Sequence, residues 1–258
     1  MSGLWLSQLG GDSNSSVIYN RIGAGGDFAT LDAAMDWLAT QTTYDLVDVG
    51  ALTLTATQYD PIIVWSANPY TQGIRAGDIL RITTDLNTVS ASGQNNHGYP
   101  LMSVGNTNAF RSRMAIGLIG NSKAGSAQTV RRPRKYVFEL LAGQTHTLSV
   151  NKAIPEYVNL TIIGHNEASP VVSTSSTVGR LIIPFAGYVT LENLETHNGP
   201  LLMSGYSFPN IQQSLCFIRH SNFTAYCGNS TIYVGGMPCS AYLGNNMRFF
   251  DVGDHGFI

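Results

Sequence analysis

Only one stretch of this 258-residue chain repeats its apolar residues at the helical period. Leu31, Ala34, Met35 and Leu38 fall at i, i+3, i+4 and i+7, one stripe of an α-helix, with Asp32 and Asp36 turned the other way. Thr30 stands where an N-cap belongs, Asp32 lies in the first turn where a negative charge suits the helix dipole, and Phe28 is placed to pack back on the helix. A helix of about ten residues is marginal alone and must be held by tertiary contacts. Everything else reads as strand-length runs bounded by Gly, Asn, Ser and Pro, at 46–56, 77–83, 114–120, 136–150, 158–164, 179–184, 188–199, 215–226, 231–236 and 241–251. The expected class is therefore mainly β.

The later runs share a pattern. Aligning "TLENLET", "IRHSNFT" and "YLGNNMR" puts Asn193, Asn222 and Asn246 in one column, at steps of 222 − 193 = 29 and 246 − 222 = 24. The run "VNLTIIGHN", centred near Leu160 to Ile162, lies about thirty residues earlier. Irregular steps in the twenties predict a β-solenoid with loops of variable length. Such a stack leaves an apolar end and unpaired strand edges on its first coil, and one short amphipathic helix is suited to cover them.

The segment "GAGGDFATLDAAMDWL" resembles the G-D-F/Y-x-T-I/L-x-x-A-h opening of right-handed parallel β-helix proteins of the pectin-lyase-like superfamily, which includes phage tailspikes. "FELLAGQTHTLSV" and "NLTIIGHN" resemble its next two pieces, a glycine-turned strand pair and a first "h-x-I-x-G" coil. In the usual pattern these follow the helix closely. Here Leu38 and Phe138 are 138 − 38 = 100 residues apart, so a large insertion is expected between them. The resemblance implies a right-handed parallel β-helix with an N-terminal capping helix. Its parts would be an N-terminal arm at 1–20, the capping segment at 21–41, a β-rich insertion or first coils at 42–135, and parallel coils at 136–258.

Composition narrows the function. Charged residues are 12% of the chain, about half the usual share of roughly 25%, and the net charge is −2. No global field recruits nucleic acid. The start, "MSGLWLSQLGGDSN", has neither a basic nor a continuous apolar segment, and no run approaches the ~20 apolar residues that span a bilayer. Cytosolic synthesis without membrane insertion is expected. Cys216, Cys227 and Cys239 are an odd number with no CxxC spacing, and read as buried thiols.

Chemistry-bearing residues are few. Between 150 and 240 the only acids are Glu156, Glu167, Glu192 and Glu195. The resemblance includes pectin methylesterases, which use an Asp pair, and lyases, which need acidic calcium ligands; neither pattern stands here. A glycosidase needs two carboxylates about 5 to 9.5 Å apart. Glu192 and Glu195, three residues apart in one assumed strand, face opposite ways, whereas Glu167 pairs across neighbouring coils with either. These three are the catalytic candidates, against the plainer reading of solvated surface carboxylates. Asp251 and Asp254 lie where no further coil would build a groove.

His165, His197 and His220 sit near the ends of successive runs and read as separate hydrogen-bonding residues, with no metal. "GAGGDF" lacks the dinucleotide spacing, so no cofactor is expected. In "VRRPRKY", Arg131, Arg132, Arg134 and Lys135 form either a solvated loop or a docking patch for an acidic partner surface or acidic glycan. Tyr70, Tyr99, Tyr206 and Phe208 are placed to stack on sugar rings or to cover core edges.

The expected function is a phage virion structural protein, a tailspike, tail fibre or other surface component without catalysis. It would be made in the host cytoplasm, exposed on the particle, and assembled as a homotrimer among other virion proteins, with host surface polysaccharide as a further partner. The tail "FFDVGDHGFI" follows a run directly, so the last coil is expected to need cover from a partner chain. The alternatives are a polysaccharide depolymerase and a carbohydrate-binding adhesin.

Overall fold

The computed structural model describes residues 17–50, 52–57, 62–82, 98–103, 108–112, 122–125, 128–165, 171–174, 179–183, 186–197, 202–204, 215–219, 223–227, 230–234, 242–243 and 247–250. These are mainly strand. The first strand, β1 (Ile18–Ile22), leads through a glycine turn into the helix α1 (Leu31–Ala39). Asp27 organises the turn: its Oδ2 accepts the Arg21 N–H at 2.7 Å, and its own N–H donates to the Arg21 carbonyl at 2.7 Å. Gly23, at φ +128°, donates to the Phe28 carbonyl, and a Cβ there would run into the Gln144 side chain. Thr30 then caps the helix, its Oγ1 accepting from the Ala33 N–H at 3.1 Å.

The chain next enters an antiparallel sheet. Its strands are β2 (Tyr44–Val47), β3 (Leu54–Thr57), β4 (Ile62–Trp65), β5 (Ile79–Ile82), β6 (Gly98–Ser103), β7 (Ala109–Ser112), β8 (Ser122–Gly125) and β9 (Gln128–Pro133). They lie in the order β2-β9-β5-β6-β7-β4-β3-β8. Leu54, Ile63, Trp65, Leu80, Phe110 and Val130 are buried together as their core.

From β10 (Lys135–Leu140) onward the pairing changes to parallel. β11 (Thr145–Leu148), β12 (Lys152–Ala153), β13 (Asn159–Gly164), β14 (Val171–Thr174), β15 (Leu181–Ile183), β16 (Tyr188–Glu192), β17 (Glu195–His197) and β18 (Leu202–Ser204) visit three sheets in rotation. Later come β19 (Leu215–Arg219), β20 (Phe223–Cys227), β21 (Ser230–Val234), β22 (Tyr242–Leu243) and β23 (Met247–Phe250). One sheet runs β1-β10-β13-β16-β19-β23-β22, a second β11-β14-β17, and a third β12-β15-β18-β20-β21. Within them β20–β21 and β22–β23 are antiparallel, and the other pairs are parallel.

Parallel register stacks like on like. Tyr136, Leu160 and Val189 lie in one row, Phe138, Ile162 and Leu191 in the next, and all six are buried in the main core. Leu31, Ala34, Met35 and Leu38 of α1 belong to that same core, with Phe28 and Trp37 packed against it. Each large side chain so buried is worth about 1.5–3 kcal/mol. Polar ties fix the helix as well: Asp32 Oδ2 accepts from Ser149 N–H at 3.0 Å, and Lys152 Nζ reaches Asp36 Oδ1 at 2.6 Å.

Several readings of the sequence are corrected. The runs 136–150 and 188–199 each hold two strands in different sheets, joined by a bend. Asn193 makes the second bend, at φ +53°, and its Nδ2 donates to the His165 carbonyl at 2.9 Å. Nor is the asparagine column the register of the ladder. Glu192 pairs with Arg219, a step of 219 − 192 = 27, and Leu215 with Arg248, a step of 248 − 215 = 33. Asn222 and Asn246 themselves lie outside the described residues.

Candidate functional site

The antiparallel sheet meets the parallel ladders along a seam of aromatic rings and arginines. Ile79, Tyr157, Ala186 and Tyr188 are buried together there, with Tyr44 packed against them. Strand β9 brings in the arginines. Because side chains alternate along a strand, Arg131 and Arg132 take opposite faces. Arg132 turns with the antiparallel core and grips Asp78, Nε to Oδ1 at 2.8 Å and Nη2 to Oδ2 at 2.9 Å. Asp78 is buried and also accepts the Arg75 N–H at 2.8 Å. Burial pushes its carboxyl up against the pull of Arg132. The hydrogen bond to Asp78 in turn holds the Arg132 guanidinium above its ordinary pKa.

Arg131 faces the seam. Its guanidinium carbon lies 4.1 Å from the Tyr157 ring centroid and 4.7 Å from that of Tyr44, and only 8% of the residue is exposed. Cation–π contacts reach about 2 kcal/mol when desolvated, so two of them hold the units together with some force. The Thr43 hydroxyl donates to the Glu156 carbonyl at 2.8 Å, and the Tyr136 hydroxyl donates to the Thr42 carbonyl at 3.1 Å. Tyr157 adopts φ +57°, a strained backbone for an aromatic residue, at the position where its ring meets Arg131. Burial raises its hydroxyl pKa, with Arg131 acting against the rise.

The basic cluster is therefore not a solvated loop. Arg131 and Arg132 lie in β9 and Lys135 begins β10. Arg134, between the strands, pairs with Asp45, its Nη2 2.6 Å from Oδ1. Burial lowers the Lys135 pKa. As a docking patch the four residues do not form one exposed surface: Arg131 is enclosed, and Arg132 and Arg134 are engaged within the chain. A run of arginines gave no sign of this, since their partners lie 54 residues away at Asp78 and 89 away at Asp45.

The carboxylate candidates are dispersed. Glu192 ends β16 in the seven-stranded sheet and Glu195 starts β17 in the three-stranded one. The bend at Asn193 removes the argument from strand parity, because the two residues do not share a strand. Glu167 lies outside the described residues. Among the histidines, His165 follows β13, His197 ends β17 opposite Ser173, and His220 lies outside the described residues, so the described pair does not stack. Among the described residues no group of three or more His, Cys, Asp or Glu is placed to hold a metal ion.

The aromatic candidates divide in the same way. Tyr99 is buried in the antiparallel core, Tyr70 packs on Phe110 with ring centroids 4.9 Å apart, and Tyr206 and Phe208 lie outside the described residues. Of the cysteines, Cys216 lies in β19, Cys227 in β20, and Cys239 outside the described residues. No described helix is long and apolar enough to cross a membrane. Compared with family models, with curated proteins and with solved structures, the chain matches none.

Proposed function

We propose that the three parallel ladders are the faces of a right-handed β-helix of the pectin-lyase-like kind. On this reading the chain serves as a surface-exposed structural component of a bacteriophage particle, a tailspike or tail fibre assembled as a homotrimer. The observation that carries the reading is the rotation of the chain through three parallel sheets, from β10 to β18, with the stripe of α1 in the same core as the first rungs. The segment that resembles the superfamily's opening has a physical task at each position: Gly23 fits against Gln144, Asp27 ties the turn, Thr30 caps and Leu31 is buried. A stack with such a core is stiff along its axis, and its low content of charge suits a surface read by neutral hydrogen bonds.

Light scattering on the purified chain tests the assembly, and the expected mass is three times that of one chain. Antibody raised against it, applied to intact particles of the phage that encodes it, tests the location. Unlabelled particles would overturn the virion reading. Polysaccharide release from host envelope, abolished by Glu192→Gln, would replace the structural reading with the depolymerase one. Glycan binding without release would favour the adhesin.

A further inference from the structure

At the seam, the face of β9 that carries Arg131 holds donors the protein itself does not use. Arg131 Nε and Nη1 are buried without a hydrogen-bond partner, and so is the Thr129 hydroxyl two residues earlier on the same face. The register extends this face. Arg131 stands between Leu46 of β2 and Ile79 of β5, and Thr129 stands opposite Arg81. The charge of Arg81 acts on the same Tyr157 ring that covers Arg131.

The two tyrosines satisfy only part of what a buried guanidinium requires. Rings stack on its flat faces, whereas its N–H groups point outward in the plane and seek oxygen. Counter-charge is missing as well. Asp78 is taken by Arg132 and Asp45 by Arg134, and among the described residues no carboxylate forms an ion pair with Arg131. Glu156 also acts on Tyr157 but is exposed. A water molecule would supply an acceptor for an N–H but no negative charge, and a buried cation without one is costly. The face is also close to solvent, for Leu46, directly opposite Arg131 on the edge strand β2, is 69% exposed.

We propose that this face binds a small oxyanion, a carboxylate or phosphate group, through the in-plane N–H groups of Arg131 with the Thr129 hydroxyl as a second donor. Planar guanidinium edges suit both groups. The anion arrives either free or as the acid group of a sugar. The inference does not depend on the virion reading, since the face lies within one chain.

The test is calorimetric titration and thermal unfolding of the full chain at constant ionic strength, with sodium phosphate, acetate, glucuronate and uncharged methyl glucoside as probes. Saturable binding of the anions is expected, with a rise in the unfolding midpoint and no response to methyl glucoside. Thr129→Val, which leaves the ring contacts of Arg131 in place, is expected to weaken binding about tenfold, the scale of one hydrogen bond to a charged group. Arg131→Lys keeps the charge but loses the planar fork, and is expected to abolish saturation. Glucuronate binding tighter than phosphate would identify a sugar acid, and phosphate binding as tightly or more so would identify a free anion. No saturable binding to the native chain, or an unchanged response in Thr129→Val, overturns the proposal even if Arg131→Lys does not fold.

Discussion

The two cores of this protein are stabilised by different means. In the parallel region Tyr136, Leu160 and Val189, then Phe138, Ile162 and Leu191, lie one above another, so each layer repeats the contacts of the layer before it. The antiparallel region has an apolar core as well, but it is flanked by buried Asp78, fixed to Arg132 and the Arg75 N–H. One region is specified by rows of like residues, the other in part by single charged contacts between distant residues. The first should tolerate the loss of any one polar tie and fail when its apolar end is opened. The second should fail at one ion pair.

The largest effect is expected at the end of the parallel stack. Leu31→Asp places a carboxylate at a fully buried position between α1 and the first rungs, and should cost about 4–5 kcal/mol or prevent folding. Urea denaturation followed by circular dichroism measures it. A soluble variant of native stability would show that the helix does not close the core. Asp78→Ala should cost less, about 3 kcal/mol, because Arg132 keeps some solvent contact after losing its partner. Here the location of the damage matters more than its size. Amide exchange should accelerate across β5, β6 and β9 while β10, β13 and β16 keep their protection. Uniform acceleration would mean that the two regions unfold as one unit and that the comparison fails.

A third substitution probes the bends of the parallel region. Asn193 combines a left-handed backbone with a side-chain hydrogen bond to the His165 carbonyl. Asn193→Ala loses both and should cost about 2 kcal/mol, the sum of roughly 1 for the backbone and 1 for the bond. Asn193→Gly keeps the backbone freedom and should recover about half. Equal losses in the two variants would assign the whole effect to the hydrogen bond.

The same contrast explains what could be read from the sequence. The stripe Leu31, Ala34, Met35 and Leu38, and the cap at Thr30, are local, so the helical period displays them, and these four are the residues of α1 that are buried. Strand-rich composition is likewise local. The bend at Asn193 was hidden because an asparagine within an apolar run does not disclose its φ, and the carboxylate argument at Glu192 and Glu195 failed with it. Arg131 was harder still. A basic run reads as solvated unless its partners are known, and Tyr44, Asp78 and Tyr157 are brought to it by pairings between distant strands and by packing of the two units.

The smallest expected effect separates the charges that matter from those that do not. Asp45 and Arg134 form a close pair at 2.6 Å, yet their side chains are 48% and 38% exposed, so solvent screens them and the pair is worth at most about 1 kcal/mol. The hydrogen bond from Arg134 lowers the Asp45 pKa below its ordinary 3.8. A carboxyl depressed in the folded state contributes its stability above the unfolded pKa and loses it as pH falls through the folded value. Asp45→Asn should therefore cost up to about 1 kcal/mol at pH 7, and the difference from the native chain should shrink as pH falls below about 4. Urea midpoints at pH 7 and pH 2.5 measure this. A loss at pH 7 as large as that of Asp78→Ala would mean that the exposed pair anchors β2 to β9 as firmly as the buried pair anchors the core. The antiparallel region would then depend on its charges at the edge as well as inside.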